Sequence, residues 1–481
     1  MQWLQVVLRY AYVELYALPV RLAKVFGLNK VQAFYLLRST CGSVSALGET
    51  LFCDAISRSF GRRVGLLSFG FLAVGSGMFH SSVAVLPSST CMYAVLLGFA
   101  AWLRGSNALA LICGSFAVLL GMAVAAPMFV PMGFVALHPD HLGLGRVVAI
   151  AAGSVLVFAV LPSLLDWSYY GTQRPLWAMG NHLLYNFGVG GGGAGADLYG
   201  TEPWTFYVKN LLLNFNIAAL LAAPALACTW RRWQLFVTLL PMYLTLALFF
   251  KMAHKEERFL TMTYPHICLA AAVTLDAFLS LVTKVVKSKT VVGLLAFSIM
   301  TFYCGVSFSR SAALWHHFKA PLQIYESLYY SNLTSSRAPS GLCVGKEWYR
   351  FPSSFFLPEV EATTLPLLWV NSSFDGQLPQ PFGPWPRGLW EVPPHMNDRN
   401  LREPTRYHEQ DKCSLFADLT LKNQAEAPLD IQTWEKMRCE PFLDAEFSSL
   451  PWRAFYVPFG MSDGKNKFGN YCIYIRKGAT G

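Results

Sequence analysis

Between residues 31 and 308 the chain is a succession of apolar stretches, and this succession constrains the fold more than any motif. The stretches lie near 31–56, 64–84, 88–103, 107–125, 126–138, 147–165, 205–228, 234–251, 260–283 and 290–308. Each approaches the roughly 20 helical residues needed to cross about 30 Å of hydrocarbon. A backbone in lipid must satisfy its own hydrogen bonds, so such segments fold as helices. About ten spans are therefore expected; the stretch 107–138 fits a hairpin of two short spans or one long tilted span equally well. Composition agrees: of 481 residues 54% are hydrophobic, 14% are charged and 35 are Phe, which excludes an ordinary soluble domain. The expected fold class is an all-α polytopic membrane protein with a C-terminal soluble lumenal mixed α/β domain.

The formal charge of +10 does not mark a nucleic-acid binder, because the basic residues stand at the ends of apolar stretches instead of forming one stripe. Arg58, Arg62 and Arg63, then Arg104, Arg146, Arg231 with Arg232, and Lys284, Lys287 with Lys289 occupy every second loop, as expected of cytoplasmic loops. The alternate loops then face a lumen: residues 86–90, 166–204, 252–259 and everything after Arg310. The expected domains are an amphipathic membrane-surface segment at 1–30, a multi-span domain at 31–310 and a lumenal domain at 311–481. The last has no apolar run long enough to span. It contains the glycosylation sequons beginning at Asn332 and Asn371, and none falls in the proposed cytoplasmic loops. Cys343, Cys413, Cys439 and Cys472 also lie there, where oxidising conditions permit disulfides of open pairing. This orientation requires residues 1–30 to begin in the lumen without a signal peptide. A further upstream span is expected on that ground, the alternative being an inverted orientation.

The densest charge in the apolar region is HKEERFL at 254–260. Its imidazole, ammonium and guanidinium beside two carboxylates can hold a phosphate together with sugar hydroxyls. A solvated loop whose charges merely stop a helix is the equally weighted reading. Glu202, Trp204, Asn214 and Asn216 stand at the entry to the span at 205–228 and, with Arg9, form a possible substrate groove. Interfacial anchoring alone accounts for Trp204, whereas unpaired amides at the depth of Asn214 and Asn216 are costly in lipid. The glycine-rich run at 188–197 is read as a loop, since it lacks the strand, lysine and helix of a phosphate-binding loop. His138, His141, His316 and His317 have no third ligand at suitable spacing, so no metal site is expected. No cofactor is expected either.

In chain order, FYLLR at 34–38, LPSSTCMY at 86–93, DLYGTEPWTFYVKNLLLNFN at 197–216, HKEERFL, SFSRS at 307–311, GKEWYRFPSSFFLP at 345–358, MNDRNLREPTRY at 396–407 and RAFYVPF at 453–459 resemble glycosyltransferase family 22. Within it they resemble the α-1,2-mannosyltransferases of asparagine-linked glycosylation, over nearly the whole chain. The resemblance implies a GT-C architecture in the endoplasmic reticulum membrane. It also implies transfer of mannose from dolichyl-phosphate-mannose to a dolichyl-pyrophosphate-linked oligosaccharide, with membrane lipid as surroundings and no nucleic acid partner. His254, Lys255 and Arg258 would serve the donor phosphate, and Glu256 or Glu257 would orient sugar hydroxyls or the cations. One departure stands out. The family carries an acidic first lumenal loop and a WEYSP-like segment before the position of Arg9, where this sequence begins MQWLQVVLR. The catalytic residue is therefore unassigned, and the chain as written is expected to transfer little mannose while still binding the donor. The alternative is a catalytically inactive truncated isoform or gene-model fragment of such an enzyme. A membrane transporter ranks below both, because no internal repeat is seen and a large lumenal domain is unneeded there.

Overall fold

In the computed structural model, residues 10–171, 180–181, 200–331, 340–350, 354–360, 363–380, 390, 395, 397, 399–421, 430, 432–459, 461 and 464–477 are described. Arg9, Asn332, the glycine-rich run at 188–197 and most of the loop 166–204 lie outside the described residues. Helix forms along the apolar stretches. In order come α1 (Tyr10–Val25), α2 (Lys30–Phe60), α3 (Arg62–Val74), α4 (Ser76–Ser81), α5 (Pro87–Leu103), α6 (Asn107–Phe116), α7 (Ala126–Leu137), α8 (Gly143–Val155), α9 (Leu161–Tyr170), α10 (Thr205–Ala222), α11 (Trp233–Lys251), α12 (Tyr264–Val286), α13 (Lys289–Phe318) and α14 (Ala320–Tyr330).

Among the described residues, five helical runs are long and apolar enough to cross a membrane: Gly143–Tyr170, Thr205–Ala222, Trp233–Lys251, Glu257–Val286 and Lys289–Phe318. Pro87–Leu103, Asn107–Gly121 and Ala123–Leu137 are apolar but shorter. One expected span divides, and one open alternative is decided. The stretch 64–84 breaks at Gly75, whose extended backbone (φ −63°, ψ 121°) separates α3 from α4. The stretch 107–138 breaks at Met122 (φ −131°, ψ 127°), and α6 and α7 pack on each other, which selects the hairpin over the single tilted span. The stretch 31–56 lies within α2, a single helix that carries Arg38, Glu49, Asp54 and Arg58.

The chain divides into two compact units, the first holding residues 1–28, 33–308 and 382–392 and the second holding 29–32, 309–381 and 393–481. In the first unit α12 packs against α3 and α10. Ala270, Ala271 and Ala272 are fully buried on it, and such small side chains let helix backbones approach closely. At the other end of α12, Arg63 of α3 is bonded to Asp276 and Ser280.

The second unit is a mixed α/β domain. Its five-stranded sheet has the order β4-β1-β5-β7-β6, from β1 (Leu342–Val344), β4 (Leu367–Trp369), β5 (Leu415–Thr420), β6 (Trp434–Asp444) and β7 (Lys467–Arg476); β2 (Glu359–Val360) and β3 (Thr363–Thr364) form a separate pair. β1 runs parallel to β4 and β5, and β7 is antiparallel to β5 and β6. α14 packs on β6 and β7, burying Ile324, Tyr325 and Leu328. The cysteines of open pairing are joined as Cys343–Cys413 and Cys439–Cys472. The second bridge links directly opposed residues of β6 and β7.

Candidate functional site

The charged motif lies where two apolar helices are interrupted. α11 ends at Lys251, Met252 is extended (φ −65°, ψ 139°), and a 3-10 turn at Glu257–Thr263 leads into α12. The free backbone groups at such helix ends need partners, and a second stretch supplies them: the amide of Glu202 donates to the carbonyl of Ala253 at 3.1 Å. The Lys255 ammonium donates to the carbonyls of Glu202, at 2.8 Å, and Met252. Lys255 is only 7% exposed. Two of its three N–H donors are thus spent in tying residues 200–204 to the end of α11.

Glu256 is the hub of the cluster. The Arg258 guanidinium grips both of its oxygens through Nη2 and Nε, the forked geometry that a carboxylate and a guanidinium share. His254 Nε2 lies 3.1 Å from the same carboxylate, and His254 Nδ1 lies 2.8 Å from the carbonyl of Gly200. With Gly200, Thr201, Glu202 and Phe206, residues His254, Lys255, Glu256 and Arg258 line a cavity of about 450 Å³. Across it the Glu202 side chain is exposed and makes no hydrogen bond or ion pair among the described residues.

Glu257 faces other partners. Asn214 Nδ2 donates to its Oε1 at 2.7 Å, which answers the cost of placing that amide in an apolar helix. His80 Nε2, on the last turn of α4, is 3.3 Å from the same oxygen. His80 was missed by sequence reasoning: a single histidine ending an apolar stretch carries no sign of a partner so far along the chain. The break at Gly75 gives α4 its own direction, and Gly77 lets it approach α10. A Cβ at Gly77 would stand 2.6 Å from the ring of Phe215 and 3.2 Å from Asn214 Cβ.

Asn216 kinks α10, with φ 38° and ψ −117° inside the helix. Its Oδ1 accepts from the Ile217 amide at 2.6 Å and its Nδ2 donates to Ser307 Oγ at 3.1 Å. A non-glycine residue in this region costs on the order of 1–3 kcal/mol unless its surroundings hold it there; these two bonds do so. Trp204, 59% exposed, precedes the first turn of α10. The structure therefore gathers His254, Lys255, Glu256, Arg258 and Glu202 around one cavity. It sets Glu257 with Asn214 and His80 beside them, and gives Asn216 a structural part.

Such an arrangement presents cations, a carboxylate and backbone groups to a ligand bearing both phosphate and hydroxyls. The Alg9-like mannosyltransferase family matches residues 4–358. The α-1,2-mannosyltransferase ALG9 of Mus musculus is 37% identical over 500 residues, which cover 96% of this chain and 79% of that protein. ALG9 of Homo sapiens is 37% identical over 494 residues with the same two coverages. Among solved structures, that of ArnT from Cupriavidus metallidurans in the apo state is similar at a TM-score of 0.46 and 14% identity, over 73% of each chain.

Proposed function

Since the chain belongs to the Alg9-like mannosyltransferase family, we propose that its cavity at residues 200–206 and 254–258 receives the mannosyl phosphate of dolichyl-phosphate-mannose. The mannose passes to a mannose hydroxyl of a dolichyl-pyrophosphate-linked oligosaccharide and forms an α-1,2 linkage in asparagine-linked glycosylation. One observation carries this reading. Two stretches about 50 residues apart in sequence, a separation set by the His254–Gly200 bond, converge on one cavity and bring a guanidinium, an imidazole and an ammonium to its wall.

The chemistry follows from the two linkages. A β-linked lipid phosphate that yields an α-linked product is displaced once, with inversion. The acceptor oxygen bonds to the anomeric carbon while the bond from that carbon to the phosphate oxygen breaks. Dolichyl phosphate leaves with the electron pair, and the hydroxyl proton passes to a base. Cations beside the departing phosphate stabilise the charge it gains, which is the part proposed for Arg258, His254 and the remaining N–H of Lys255. Glu256 holds Arg258 and His254 in place. Glu202, whose carboxylate is uncommitted among the described residues, accepts from sugar hydroxyls beside Trp204. Glu257 is held by Asn214 and His80, and it fixes the start of α12 against α4 and α10.

The proposed location is the endoplasmic reticulum membrane, with the 254–258 loop and the second unit in the lumen. The disulfides Cys343–Cys413 and Cys439–Cys472 support that side, since disulfides persist in oxidising compartments. Labelled mannose supplied as dolichyl-phosphate-mannose should appear on the lipid-linked oligosaccharide and be released by a mannosidase specific for α-1,2 links. Release only by an α-1,6-specific enzyme would refute the linkage. Removal of residues 320–481 by protease added outside sealed microsomes would refute the orientation.

A further inference from the structure

We propose that Arg38 is a binding site for a phosphate group of a lipid-linked substrate. The proposal rests on the reading of this chain as a dolichol-dependent mannosyltransferase and adds a second anchoring point to it. Arg38 lies eight residues into α2, about 12 Å from its start at 1.5 Å per residue, within a stretch expected to cross the membrane. An ionisable side chain at such depth is costly unless it is paired or meets a polar ligand.

Among the described residues Arg38 meets no carboxylate. Arg63, Arg104 and Arg258 of the same unit each meet a carboxylate. Arg62, Arg146, Arg231 and Arg232 are exposed at or near helix ends. Arg38 is half-buried, and among the described residues its five N–H donors reach no acceptor; the ring of Phe34 lies 5.3 Å from the guanidinium carbon. The groups in electrostatic reach are Tyr35, Cys41 and Tyr93, none an anion at neutral pH.

The surroundings continue toward the charged cluster. Tyr16 and Thr90 share a hydrogen bond of 2.6 Å, and both belong to the same nook through Cys41 and Cys91. Tyr93 donates to the carbonyl of Ser82 at 2.7 Å. Ser82 is two residues beyond His80, which pairs with Glu257. Arg38 is therefore within electrostatic reach of Tyr93, whose hydroxyl ties α5 to the segment that follows His80. A free guanidinium fork in apolar surroundings matches the oxygens of a phosphate. Two lipids supply that chemistry, the donor with one phosphate and the acceptor with a pyrophosphate.

The test is binding of dolichyl phosphate and of dolichol to the detergent-purified protein, as wild type, Arg38→Met and Arg38→Lys. Arg38→Met should weaken dolichyl phosphate by about 10- to 100-fold, the loss of a charge-assisted contact, and leave dolichol unchanged. Arg38→Lys should fall between, since a point charge lacks the fork. Steady-state transfer then separates the sources: a raised KM for dolichyl-phosphate-mannose assigns the donor phosphate, and a raised KM for the oligosaccharide lipid assigns the acceptor pyrophosphate. Equal affinity of wild type and Arg38→Met for dolichyl phosphate would overturn the proposal. An equal loss for dolichol would overturn it too, because it reports a damaged lipid groove and no phosphate contact. Transfer of a sugar other than mannose would sink the functional reading instead, while the binding comparison would still decide the role of Arg38.

Discussion

In the second unit Glu347 pairs with Arg350 and Glu403 with Arg406, each three residues away and each acid nearly buried. Arg438 and Glu440 stand two apart on one strand. In the first unit the partners come from afar: Glu257 meets Asn214 and His80, His254 meets Gly200, and Lys255 meets Glu202. Both units are rich in charge. The second arrangement surrounds a cavity. Pairs made within one turn or strand, as Glu256 with Arg258 and His254 also are, are completed as that element forms and by themselves join no separate segments. Pairs that join separate segments hold a space between them. On the proposed function the substrate belongs to the first unit and the ion pairs of the second serve stability, with Lys346 and Asp418, 3.7 Å apart, tying β5 to the turn after β1.

The largest effect expected is on transfer. His254→Ala removes the imidazole bridging Gly200 and Glu256, and Glu257→Gln removes the charge facing His80. His254→Ala should lower kcat/KM by roughly 10²-fold or more, the scale of losing a group aimed at the reacting charge, and Glu257→Gln by a smaller factor through the start of α12 that it fixes, with an unchanged melting temperature in each showing that the fold survives. Wild-type turnover in both would mean that the charges only end a helix.

Next comes the bridge between β6 and β7. Cys439 and Cys472 are 33 residues apart, and opening a loop of that length costs about 4 kcal/mol by chain entropy. Cys439→Ala with Cys472→Ala should therefore raise hydrogen exchange across β6 and β7 while α12 keeps its protection. Equal loosening of α12 would contradict the separation of the two units.

Asp418 provides a smaller effect with a definite sign. Burial, opposed by Lys346, pushes its carboxyl up to about 6 from the ordinary 3.8. The folded state therefore favours the neutral acid, and this contribution is present in full below about pH 4 and lost as pH rises through 6. At 1.36 kcal/mol per unit it amounts to about 3 kcal/mol. Asp418→Asn should flatten the melting profile between pH 4 and 7 and be more stable than wild type at pH 7. A variant less stable at pH 7 would show that the ion pair with Lys346 outweighs burial.

The helices were legible in the sequence where an apolar stretch met a clear end. The stretches 88–103 and 234–251 became Pro87–Leu103 and Trp233–Lys251, set by Pro87 at one start and by Lys251 at one end. The break at Gly75 was not legible, because one extended residue inside an apolar run changes no average, and the division of 107–138 was legible as one of two equal alternatives. The end of α13 at Phe318, ten residues past the expected 308, was hidden by polar residues such as Arg310 and His316 that stay helical. In the site the HKEERFL charges were legible from their density, and Asn214 from the cost of an amide in lipid. The partnership of His80 with Glu257, the carbonyl cradle of Lys255 and the absence of a carboxylate beside Arg38 among the described residues depend on which segments meet, which periodicity does not record.

The central claim is that convergence from distant segments, and not charge itself, makes the site. Its most direct measurement is mannose transfer from dolichyl-phosphate-mannose per folded molecule by His254→Ala beside Arg438→Ala, each of which removes one nitrogen-bearing side chain that meets a glutamate. The account predicts a loss of roughly 10²-fold or more in His254→Ala and near-wild-type transfer in Arg438→Ala, whose exposed pair contributes about 1 kcal/mol or less. Equal rates in the two variants would contradict it.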